Sequence, residues 1–169
     1  MTMLKTNTIF RVAKIMAVGS VALMAALTAV GNITDYYTNY HFVEHVLKMD
    51  TIFKDSKVLY RHIDSPVLFH VFYIFIIVLE TLMAYCCTRG GLQMIKNFKG
   101  NAAAFHAAKN WAVAGITTGL LIWFAGFEVV GGEWFAMWQS SSWNGLGSAE
   151  RIVSFLLPAL IFLHMKEED

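Results

Sequence analysis

Glu80 is the residue whose type and position most demand a chemical explanation. It lies in the apolar run ValLeuPheHisValPheTyrIlePheIleIleVal and its continuation, about three residues, or roughly 5 Å at helical rise, from the midpoint of a membrane-length segment. An ionised carboxylate is costly at that depth, so Glu80 is expected to face protein and to be neutral or hydrogen-bonded. Counting depth from the segment ends puts the hydroxyls of Ser20, Thr117 and Thr118 at a similar level, and these are its expected partners. Such a site locks helices together, relays protons or contacts a polar solute.

A second constellation is His41, Glu44 and His45, an HxxEH pattern that puts two imidazoles four apart on one helix face, as zinc-binding helices do. Met49 lies one turn further on, so a copper or zinc site of His41, His45 and Met49 is one reading. A solvated polar face is the other, and the short segment offers little room for the cleft a metallopeptidase needs. His106 and His164 fall at membrane edges and His70 has no evident partner on another span, so haem ligation is not expected and no cofactor is assigned.

These residues must be held by elements that water does not solvate. Of the 169 residues, 57% are hydrophobic and 15% charged, against roughly 25% charged in soluble domains. The apolar residues fall into blocks that can cross a hydrocarbon core about 30 Å thick. Four spans are predicted, at about 12–33, 66–87, 111–130 and 151–164, forming an all-α four-helix membrane domain over the whole chain. Pro66 suits a first helical turn, and Pro158 removes a backbone donor from the last span. The first run is longer than a signal-peptide core and is expected to be retained.

The outer segment, 35–64, carries Tyr36, Tyr40, Val43 and Leu47 at helical spacing, with His41, Glu44, His45 and Lys48 on the other side. This amphipathic pattern predicts a helix lying on or capping a membrane face. Basic residues set the orientation. Lys5, Arg11 and Lys14 stand at the start of the first span, and Arg89, Lys96, Lys99 and Lys109 lie between the second and third, with no acids in either place. The 35–64 segment mixes four basic with five acidic residues, and 131–149 holds Glu133 alone. Both termini are therefore expected in the cytoplasm. The net charge of +1, with no basic stripe, argues against a nucleic-acid binder.

Gly115 with Gly119 form a GxxxG, and Ala22 with Ala26 a pair of small residues at the same spacing, for close helix packing within the chain or with a partner. Adjacent Cys86 and Cys87 have neither metal nor disulfide spacing and read as reduced packing thiols.

The stretch AsnIleThrAspTyrTyrThrAsnTyrHisPheValGluHisValLeuLysMetAspThr, residues 32 to 51, together with the four-span layout, resembles a family of predicted small integral membrane proteins of bacteria known by its domain of unknown function. The resemblance covers nearly the whole chain. It implies a bacterial inner-membrane location and brings no catalytic residues with it. Hydrophobic spans, small-residue packing faces and an ordered outer helix fit a non-catalytic accessory subunit of a larger membrane complex, with a respiratory or oxidoreductase complex as one candidate, in contact with lipids and with other integral subunits or its own copies. The alternatives are a small homo-oligomeric transporter or channel using Glu80, and an outer-face metal-binding protein using His41 and His45.

Overall fold

The computed structural model describes residues 6–166, so Lys5 of the basic N-terminal flank lies outside the described residues. Among them all regular structure is helical. Helix α1 (Thr6–Thr34) leads almost directly into α2 (Tyr36–Lys48). After an irregular stretch come α3 (Pro66–Lys96), a short α4 (Ala102–Ala107), α5 (Asn110–Leu120) and, after a second irregular stretch, α6 (Leu146–His164). Helix α5 runs on into a π-helical segment, Leu121–Trp134, so that the third membrane-length helical stretch is Ala102–Trp134. Among the described residues, four stretches are long and apolar enough to cross a membrane.

The predicted spans sit inside the observed helices, which are longer. Helix α3 continues past Cys87 to Lys96 because nothing in ThrArgGlyGlyLeuGlnMetIleLys stops it until Asn97. With 31 residues it is about 46 Å long at 1.5 Å per residue, more than a bilayer core of about 30 Å requires. Helix α6 begins at Leu146, earlier than 151, and passes through Pro158. The amphipathic segment forms α2, burying Tyr40, Val43 and Leu47 as their spacing demands.

Helix α3 packs between α1 and α5, and α6 closes the bundle against α5, its π-helical continuation and α1. Valines and alanines of α1 (Val18, Val21, Ala22, Ala25) meet Met83, Cys87 and Met94 of α3 and Ala112 and Ile116 of α5 in one core. Three glycines bring α3 and α5 together. A Cβ on Gly90 would lie 2.3 Å from the Ala112 backbone nitrogen, and one on Gly115 would lie 2.9 Å from that of Cys87. One on Gly119 would meet Met83 Cε and Leu156 Cδ1, both at 2.7 Å. The GxxxG is therefore consumed inside the chain. Ala22 is buried in the core and Ala26 is half-buried.

The end of the bundle away from α2 is held by buried cations. Arg11 donates through Nη1 to the carbonyls of Phe98 (2.7 Å) and Gly100 (2.6 Å). Lys109 donates to the carbonyls of Leu163 (3.0 Å) and Met165 (3.3 Å), and Lys14 also donates to that of Met165. Carbonyls at a helix C-terminus lack intrahelical partners and carry the negative end of the dipole, so ammonium groups from α1 and from the residue just before α5 complete α6.

Candidate functional site

Glu80 lies at the middle of α3 and is 3% exposed. Its partner is a side chain of α1. Asn32 donates from Nδ2 to Glu80 Oε2 at 2.7 Å, and Asn32 Oδ1 accepts from Asn39 Nδ2 of α2 at 2.6 Å. Tyr73, two turns before Glu80 on α3, donates its hydroxyl to the Asn32 backbone carbonyl at 3.1 Å. Asn32 sits in the last turn of α1, where the backbone hands over to α2, so one buried amide joins three helices. A buried amide or carboxyl without a partner costs about 1–3 kcal/mol, which is why these groups are found together.

Aromatic rings surround this junction. Tyr36 packs edge-on to Tyr73 at 4.7 Å between ring centres and hydrogen-bonds His70 Nδ1 at 2.8 Å, while Tyr40 stacks on His70 at 4.4 Å. Burial holds the Tyr36 and Tyr40 phenols above their ordinary pKa. His70 thus finds its company on α2, which sequence depth-counting among the spans could not supply.

The hydroxyls expected beside Glu80 are elsewhere. Ser20 and Thr117 are exposed on the outer surface of the bundle, and Thr118 donates to the Ala114 carbonyl of its own helix at 3.0 Å. Depth was missed as well as azimuth: Val18 packs level with Gly91 and Gly119 with Met83, so Ser20 and both threonines lie nearer the far end of the bundle than Glu80, which meets Asn32. Asn32 carried the missing signal. It and Glu80 are strongly polar side chains in helices that otherwise present apolar groups to one another.

On α2 the HxxEH residues go separate ways. His41 Nδ1 bonds Glu44 Oε2 at 2.9 Å, and His45 bonds Asp50 at 2.8 Å while stacking on Trp143 with ring centres 4.5 Å apart. Met49, with φ 53°, turns its side chain into the apolar cluster with Phe69, Tyr73 and Phe135. His41, His45 and Met49 are not brought to one point, and among the described residues no group of three or more His, Cys, Asp or Glu side chains is placed to hold a metal ion. Lys48 and His41 bond Glu44 and hold its carboxyl below the ordinary carboxylate range, with Lys48 the larger influence.

A second feature lies between α3 and the π-helical segment. Helix α5 touches α3 closely through Gly115 and Gly119, and its π-helical continuation then diverges from α3 toward α2. The gap is an apolar slot of about 270 Å³ lined by Phe72, Phe75, Ile76, Leu121 and Phe127, with Phe42 and Val46 of α2 above it. Phe75 and Leu121 on its rim are more than half exposed, so the slot opens sideways. The wider winding is closed by Phe135 N–H donating to the Val130 carbonyl at 3.1 Å, five residues back. Buried Gly131 and Gly132 let the segment seat on Met137 and Leu146, which a Cβ would approach at 3.3 and 3.0 Å. Glu128, on the same segment, has Oε1 shielded from solvent with no hydrogen-bond partner among the described residues. π-Helical turns are rare and are often found at functional sites.

No curated protein and no solved structure matches the chain. A family described as predicted small integral membrane protein, DUF2165, matches residues 10–166, which takes in all four apolar helices, α2, Glu80 and Asn32. The protein is an integral membrane protein belonging to that family.

Proposed function

We propose that the protein is a non-catalytic accessory subunit of a larger bacterial membrane assembly, of the respiratory or oxidoreductase kind. In this reading it sits in the inner membrane with both termini cytoplasmic and α2 outward. The observation that carries it is the Glu80–Asn32–Asn39 chain. The polar groups nearest the bundle centre serve to fix the cap helix in place, since satisfied buried networks rigidify what they join. The cap then presents an ordered charged face of His41, Glu44, Lys48 and Asp50, chemistry suited to the polar rim of an interface. The basic residues Arg11, Lys14 and Lys109 near the opposite end support the orientation.

Native purification in mild detergent with intact-complex mass spectrometry tests the reading. A heterologous partner at fixed stoichiometry, released by Glu44→Lys with Lys48→Glu, is the expected result. A pure homo-oligomer with no partner would sink it.

One observation favours a second reading, a small proton-coupled transporter or channel. Asn39 is exposed, so hydrogen bonds run unbroken from Glu80 to the cap end. On that reading the protein works alone in vesicles, and Glu80→Gln alters the flux or its pH dependence while the fold persists.

A further inference from the structure

The apolar slot beneath α2 does not end inside the bundle. Its walls Phe72, Val130 and Phe135 also line a second, wider groove at the end of the π-helical segment, and that groove is bordered by Arg61, Glu133 and Trp134. An apolar channel open to the hydrocarbon therefore continues into a patch that holds one cation and one carboxylate. Arg61 is fixed there. Its Nη1 donates to the backbone carbonyls of Trp134 (3.2 Å) and Glu133 (3.4 Å), and its guanidinium lies 4.7 Å from the centre of the Trp134 ring. Its Nε points to Tyr60 Oη at 3.4 Å, and the Nη2 amino group is the further pair of donors that a planar guanidinium can offer a phosphate. Glu133 is exposed at the same mouth.

We propose that this continuous groove is a binding site for one aminophospholipid of phosphatidylethanolamine type. One acyl chain lies in the slot between α3 and the π-helical segment, the phosphate meets Arg61, and the primary ammonium meets Glu133. Charge complementarity selects this occupant. A headgroup with phosphate alone matches Arg61 but brings a negative charge against Glu133, and a quaternary ammonium cannot donate hydrogen bonds to the carboxylate. The slot suits a hydrocarbon chain because its lining is apolar and its volume, about 270 Å³, exceeds the roughly 150 Å³ at which apolar cavities already stay dry and take up small hydrocarbons. Trp134, more than half exposed beside the groove, is the type of side chain that settles at headgroup level. The divergence of α3 from the π-helical segment thus acquires a purpose: it admits a chain that the glycine-packed half of the interface excludes.

The test is native mass spectrometry of the purified, delipidated full chain. It is titrated with palmitoyl-oleoyl phosphatidylethanolamine, the matching phosphatidylcholine and the matching phosphatidylglycerol in turn. The expected result is a single phosphatidylethanolamine adduct that survives activation energies stripping the other two. Arg61→Gln lowers its occupancy about tenfold, the scale of one charge-assisted contact. Glu133→Gln abolishes the preference over phosphatidylcholine. Gly126→Leu fills the slot and removes the adduct; a Cβ there meets nothing closer than the Leu121 carbonyl at 3.5 Å, so the helix tolerates it. Circular dichroism of each variant verifies the fold, and should Arg61→Gln unfold through loss of its backbone bonds, Glu133→Gln and Gly126→Leu decide the matter. Equal retention of the three lipids, a preference for phosphatidylglycerol, retention of an isoprenoid quinone in their place, or an adduct indifferent to both Glu133→Gln and Gly126→Leu would each overturn the proposal.

Discussion

Replacing Asn32 by Leu removes the amide that Glu80 and Asn39 share, and the structure sets the size of the effect. Glu80 Oε2 loses its 2.7 Å donor while remaining buried, a loss of about 1–3 kcal/mol for an unsatisfied polar group. Asn39 is exposed and recovers its bond from water, so it adds little. Tyr73 bonds the Asn32 backbone carbonyl, which the substitution leaves in place. The expected destabilisation is therefore about 2 kcal/mol, nearly all of it from one orphaned carboxyl. Glu80→Gln keeps an acceptor at the same position and should cost under about 1 kcal/mol. Removing both polar groups, Asn32→Leu with Glu80→Leu, leaves no orphan, so the double variant should be less damaged than the sum of the singles. Measured couplings across membrane helices average about 0.6 kcal/mol and reach about 1.7, and the fully buried geometry here points to the upper half of that range. Unfolding by sodium dodecyl sulfate in mixed micelles, followed by tryptophan fluorescence and far-ultraviolet circular dichroism, supplies the four free energies. Ser20→Leu and Thr117→Leu are the controls. If they destabilise as much as Asn32→Leu, or if the coupling is zero, the carboxyl–amide junction does not hold the helices.

Other outcomes follow from the same geometry. Gly115→Ala forces a methyl to within 2.9 Å of the Cys87 backbone nitrogen and should cost about 1–3 kcal/mol in the same micelle assay. Gly19→Ala, with nothing within 4 Å, should be neutral or gain up to about 1 kcal/mol. Cys86 and Cys87 are 4% and 0% exposed, so mass-spectrometric alkylation should leave both unmodified until the bundle opens, then modify both together. For Glu44 the folded pKa is lowered by Lys48 and then His41, so its stabilisation is complete above the ordinary value of 4.5 and is lost as pH falls through the lower folded value. Glu44→Gln should flatten that acid limb of the stability profile and leave stability near pH 7 changed only slightly, as for a solvent-screened surface pair. An unchanged acid limb would assign the acid sensitivity to other carboxylates.

The sequence disclosed spans and periodicity well because bilayer thickness and helix geometry act on every residue alike. The α2 face of Tyr40, Val43 and Leu47 is legible for that reason, as is the burial of Gly115 and Gly119. What it hid was how the helices stand against one another, in height as well as in rotation. Ser20 and Thr117 match Glu80 only when counted from the segment ends; the packing of Gly91 on Val18 and of Gly119 on Met83 sets them nearer the far end of the bundle, on its exposed faces. Asn32 is visible in the sequence as a polar residue where the first span ends. Its reach to Glu80 depends on how sharply the chain turns after α1, a tertiary fact. The π-helical winding of Leu121–Trp134 is likewise absent from any apolar count, because α- and π-turns of the same residues have the same composition.

The buried lysines at the far end carry a last implication, for biogenesis. Lys14 belongs to the first helix and Lys109 to the third, yet both terminate on the final turn of the fourth, the last to be synthesised. Until that helix arrives with its C-terminus on the same side as both ammonium groups, each would be buried without those carbonyls, at a cost of several kcal/mol. A chain whose last helix inserts the wrong way therefore cannot close its core. The two lysines thus make closure of the bundle depend on which way the fourth helix crosses.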